Sequence, residues 1–154
     1  MNNIKVSFAE ILPVMQEKLE AGGEVSFTVS GTSMQPMVID RKDTVTLKKA
    51  TLPLKKYDVP FYRRDDGQFV LHRVVKIQKN GNYTCRGDNQ TVNEPDVRND
   101  QVIGILTSFE RDGKFVDVNK SFKYKVYCRL WMLMRPYRYG RYYFKRAIQI
   151  LFKR

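Results

Sequence analysis

The sequence predicts a small, mostly β domain with an amphipathic helix in front and a basic, aromatic, helical tail behind. Three observations predict it. In the first 120 residues, helical spacing of apolar residues is confined to the first twenty positions, short alternating segments follow at regular intervals between turn dipeptides, and the charge balance changes abruptly after residue 120. The boundaries implied are a helix over 1–23, a β domain over 24–120 and a tail over 121–154.

Phe8, Ile11, Leu12, Met15 and Leu19 recur at helical spacing, with Ser7 as N-cap and Gly22-Gly23 as the stop. "EVSFTVSG" alternates and reads as a strand running up to Ser33, and "DTVTLKKA" alternates with Val45 and Leu47 on one face. "QFVLHRVVKIQ" is a longer β-branched run that reads as one strand. Asn80-Gly81, which suits a tight turn with positive φ, leads from it into the returning "NYTCRG". "VIGILTSFE" and "KFVDVN" flank Arg111-Asp112-Gly113 as a second hairpin. Six or seven short strands therefore follow one helix.

A chain of 154 residues, 42% hydrophobic and 29% charged, is long enough for one real core and too apolar for disorder. The uncharged stretches near the C-terminus, Leu130 to Met134 and Ala147 to Phe152, are far short of the roughly 20 residues that span a bilayer. Glu10, Glu17, Lys18 and Glu20 break the apolar run that a secretory signal needs, so the expected location is cytoplasmic or peripheral at a membrane. Cys85 and Cys128 make neither a disulfide framework nor a metal spacing, and His72 is the sole histidine. No metal or cofactor is expected.

The candidate chemistry centres on "SGTSMQPMVID", where Ser33 stands in a constrained turn before a strand. A serine hydroxyl is a weak nucleophile. It needs a base within hydrogen-bond reach, and the base needs a carboxylate to fix its tautomer. His72 can serve as the base, and the acids of "RGDNQTVNEPDV" can supply the carboxylate. Composition alone does not separate this arrangement from an ordinary turn serine and a satisfied strand histidine.

The order of the blocks does more. "GTSMQPMVIDRKDTVTLKK", "YDVPFYRRDDGQFVLHRVVKI", "CRGDNQTVNEPDV" and "DQVIGIL" resemble, in sequence, the type I signal peptidase and LexA-like group of serine peptidases. The resemblance covers roughly residues 25 to 120. Because "LHRVV" puts histidine where much of that group has lysine, it is to the Ser-His branch. It implies Ser33 as nucleophile, His72 as general base, Asp96 as the favoured orienting acid with Glu94 as competitor, and Asp88 as a structural or supporting group. It also implies an oxyanion site at the backbone N–H groups around Ser33, aided by the Ser30 or Thr32 hydroxyl. The group's Gly-Asp pairs read here as Lys42-Asp43 and Tyr57-Asp58, keeping the acid and losing the glycine.

The implied function is removal of a signal or leader segment from a preprotein or small exported peptide. A silent binding module on the same scaffold is the alternative, as is a self-cleaving regulator cut at Ala21-Gly22. The net charge of +12 divides unevenly: residues 121–154 hold ten Lys or Arg, ten aromatics and no acid, which leaves 18 basic against 16 acidic residues, or +2, in the first 120. Such a tail suits an anionic membrane surface or a membrane-protein partner, and suits nucleic acid less well.

Overall fold

The computed structural model describes residues 8 to 151. The chain divides into two compact units that part between Asn119 and Lys120. The first begins with helix α1 (Phe8–Glu20), followed by strands β1 (Val25–Thr28), β2 (Thr44–Lys48), β3 (Pro60–Arg63), β4 (Phe69–Leu71), β5 (Arg73–Ile77), β6 (Tyr83–Arg86), β7 (Glu94–Val97), β8 (Val102–Arg111) and β9 (Lys114–Asp117). The second holds helices α2 (Phe122–Leu133) and α3 (Arg135–Leu151).

The Ser7 cap expected for α1 lies outside the described residues. Its stop is a Schellman turn: Gly22 at φ 80° donates to Leu19 O, and Gly23 donates to Lys18 O at 2.9 Å. Ala21 and Gly22, the dipeptide considered for self-cleavage, make up this exposed cap. Met15 and Leu19 form the buried stripe of the helix. A Cβ on Gly104 of β8 would lie 3.3 Å from Leu19 Cδ1 and 3.0 Å from Lys48 O, so glycine lets helix and strand approach closely.

All strand pairings are antiparallel. The larger sheet runs β1-β2-β8-β3-β4, with β9 also paired to β8; the smaller runs β5-β6-β7. The ten residues of β8 thread the larger sheet, and Val45 and Leu47 on its neighbour β2 are fully buried, as their alternation predicts. Leu54, Tyr62, Val74, Tyr83, Cys85 and Val97 form a core drawing on strands of both sheets, and Val102 and Ile105 of β8 pack against it. Burying each large apolar side chain is worth about 1.5–3 kcal/mol.

Both expected hairpins are present. The first has a three-residue loop in place of the expected two-residue turn, Gln78 donating to Asn82 O around Lys79, Asn80 and Gly81 with Gly81 at φ 86°, and β8 turns into β9 through Asp112 and Gly113, both at positive φ. The single strand expected over "QFVLHRVVKIQ" is instead two. It breaks at His72, so β4 belongs to the larger sheet and β5 to the smaller. The β-branched run suits both halves, and the break is made by partners: Leu71 pairs with Phe61, Arg73 with Arg86. The chain is mostly β between terminal helices, as predicted.

In the second unit, Ser121 caps α2 by accepting from Tyr124 N at 3.2 Å. Tyr127 stacks on Trp131, and the Arg138 guanidinium lies 3.7 Å from the Trp131 ring centre. The tail expected from composition is therefore helical over the residues described.

Candidate functional site

Ser33 sits on the long connection between β1 and β2. Two backbone bonds close the base of this loop, Val29 N–H to Asp43 O and Arg41 N–H to Val29 O. Met34, Met37 and Val38 bury themselves and anchor it from within, while Ser33 is left half-buried. The buried Asp43 carboxylate accepts from Ile39 N at 2.8 Å and from Arg111, whose guanidinium also donates to Met37 O and Pro36 O. Burial alone would raise the Asp43 carboxyl, but the bonds from Arg111 and Ile39 outweigh it and hold the carboxyl below its ordinary value. The acid kept at Lys42-Asp43 is thus a clamp on the serine loop.

A second loop presses on the first. Asn89 N–H donates to Ser33 O at 2.8 Å, and the Asn89 amide donates to Thr32 O at 3.2 Å. Gly87 comes so close that a Cβ there would stand 2.5 Å from Ser33 O and 3.0 Å from Ser33 Cβ. Only glycine fits, which is the physical content of the Gly-Asp-Asn turn. Asp88 faces inward, and both its oxygens accept from Arg73, at 2.8 and 2.7 Å, in an ion pair with no exposed side-chain surface. Arg73 also donates to Tyr57 O and touches Met37 Sδ, so it joins the serine loop, the Gly87 turn and the chain just past His72. Tyr57 stands at φ 79°, in the left-handed region that favours glycine.

His72 occupies the crossover between the two sheets, 2% exposed, with its N–H on Pro60 O. Ring Nδ1 lies 3.1 Å from Glu94 Oε2 and 3.4 Å from the Tyr62 hydroxyl, and the Tyr62 ring meets it edge-on. Tyr62 donates to Glu94 Oε2 at 2.5 Å, and Arg64 forks onto both Glu94 oxygens. Burial would raise the Glu94 carboxyl, but bonds from His72, Arg64 and Tyr62 prevail and hold it at about 2. Burial and the bond to Glu94 push the Tyr62 phenol well up, so it stays a neutral donor. A permanent carboxylate on Nδ1 draws the ring proton there and leaves Nε2 as the acceptor, the tautomer a general base needs.

The structure departs from the sequence reading in the choice of acid. Asp96, favoured to orient His72, is exposed at φ 60°; it shares the lining of a cavity of about 260 Å³ with Glu94, Tyr62 and Arg64, but the carboxylate that meets the ring is that of Glu94. The reason is a bulge. Cys85 pairs with Glu94 and Tyr83 with Val97, so β7 carries one more residue than β6 over that interval. The extra residue breaks the alternation that would put residues 94 and 96 on one face. Asp88 is likewise committed to Arg73.

Among the described residues no hydrogen bond joins Ser33 Oγ to His72; the two are connected through the Gly87–Asn89 turn and Arg73. The backbone N–H groups of Thr32, Ser33 and Met34 meet no protein acceptor among the described residues, and Ser30 and Thr32 are exposed beside them. Sequence reasoning missed Tyr62, Arg64 and the linking role of Arg73. Only Arg73 had a local trace, in "LHRVV". A scan against models of protein families and a search of curated proteins found no match to this chain.

Proposed function

We propose that this chain is a serine endopeptidase of the signal-peptidase and LexA-like kind, acting on a signal or leader segment of a preprotein or small exported peptide. Ser33 Oγ attacks the scissile carbonyl while His72 Nε2 takes its proton. Glu94, steadied by Tyr62 and Arg64, holds Nδ1–H and stabilises the imidazolium that forms. The oxyanion is met by N–H groups from Thr32 to Met34, with the Ser30 or Thr32 hydroxyl beside them. His72 returns the proton to the leaving amine, and a water activated by the same imidazole then releases the acyl group from Ser33. Small residues on the acyl side of the bond are the preference that the family resemblance implies.

The observation that carries this reading is the Glu94 carboxylate on Nδ1 of a buried histidine, in a chain whose sequence blocks follow the family order. Catalytic hydrogen bonds such as Ser33 to His72 often close only when substrate engages. The test is labelling by a serine-directed fluorophosphonate, read by intact mass, beside cleavage of synthetic leader peptides. The expected result is one adduct on the wild type, none on Ser33→Ala, and labelling about 10²–10⁴-fold slower on His72→Ala. An adduct that persists in Ser33→Ala, or a wild type that neither labels nor cleaves, overturns the reading in favour of a silent binding module.

A further inference from the structure

We infer that α3 is an in-plane anchor that seats this chain on an anionic lipid surface. This inference is independent of the peptidase reading. Of the fourteen large hydrophobics exposed among the described residues, nine lie in the second unit, and Tyr137, Tyr143, Phe144, Ile148 and Ile150 belong to α3 itself. They are not scattered around it. At about 100° per residue, Tyr137, Phe144 and Ile148 share one side, and Tyr143 and Ile150 extend it to about half the circumference. Arg135 and Arg138 fall on the opposite half, and Arg141 falls at the border beside Ile148.

This distribution selects the occupant. A nucleic acid would use the basic half and leave Phe144 and Ile150, 66% and 67% exposed, in water. A groove in a protein takes a narrower stripe of anchors at i, i+3, i+4 and i+7. A bilayer interface takes a wide apolar arc, phenols at the headgroup level and long cationic side chains that reach back to phosphate from its border. The unbroken positive charge from Lys120 to Arg154 makes that surface anionic. Crossing the bilayer is not the alternative, because among the described residues no helix is long and apolar enough to span it.

The test is co-sedimentation of the full chain with vesicles of phosphatidylcholine alone or with about one-third phosphatidylglycerol. Binding to the anionic vesicles is expected, with little to the neutral ones. Phe144→Ser with Ile150→Ser should weaken it at least about tenfold, since both side chains leave the acyl region. Arg135→Gln with Arg141→Gln should weaken it by roughly fivefold per charge. Phe144, Ile150 and Arg141 are exposed, while Arg135 is half-buried with its guanidinium 4.9 Å from the Tyr139 ring centre, so circular dichroism of each variant must show that helix content is kept. Binding that survives the serine pair but vanishes in about 0.5 M salt is charge adsorption alone and overturns the inference. So does preference for RNA or for a protein with no vesicle binding. The assay involves no peptide-bond chemistry, so its failure and that of the peptidase reading are separable.

Discussion

Glu94→Gln separates an orienting carboxylate from a bystander. Glu94 ordinarily would titrate at 4.5 and is held at about 2 by His72, Arg64 and Tyr62 against the opposing effect of burial. At about 1.4 kcal/mol for each tenfold, the ionised carboxylate contributes about 3 kcal/mol to folding. Because the folded value lies below the unfolded one, that contribution is complete above about pH 4.5 and is lost as pH falls toward 2. Urea unfolding at pH 7, 5, 4 and 3 measures it. Wild type should exceed Glu94→Gln by about 3 kcal/mol at pH 7, and about 2 kcal/mol of that gap should close by pH 3. Asp96→Asn should change little at any of these pH values, since Asp96 is exposed at a positive φ that Asn tolerates. A gap independent of pH, or the same pH-dependent loss in Asp96→Asn, would refute the assignment of Glu94 as the carboxylate on His72.

Two further perturbations test the supports of the site. Gly87→Ala sets a methyl 2.5 Å from Ser33 O, so the serine loop must move. Fluorophosphonate labelling should slow at least about tenfold, with about 1–3 kcal/mol lost in urea unfolding, and labelling at the wild-type rate would mean that Gly87 does not set the position of Ser33. Asp88→Ala strands the buried Arg73 charge and should cost about 3–5 kcal/mol, whereas the double change Asp88→Leu with Arg73→Met should cost less. Equal losses in the two would show that the ion pair is not the dominant effect.

The hairpins, the helix stop and the buried face of β2 were legible because each is decided locally. Gly81 and the pair Asp112-Gly113 need only their own φ values, and Val45 and Leu47 need only alternation. Strands β3 and β7 were not legible. "EPDV" carries a proline and two acids and pairs only as the edge of the smaller sheet, while "PFYR" is bounded by turn residues and has no alternation, its first three residues all being buried. Missing these two strands concealed Tyr62, Arg64 and the register of Glu94.

By itself, then, the sequence determined the local turns, the order in which serine, histidine and acid arrive, and the concentration of positive charge after residue 120. Tertiary structure decided the break at His72, which depends on whether the paired strand is β3 or β6. It also decided which acid meets the ring, because one extra residue in β7 turns Asp96 outward and leaves Glu94 facing Nδ1. Strand register carries that choice, and register is a property of two segments together, so neither segment's residues state it alone.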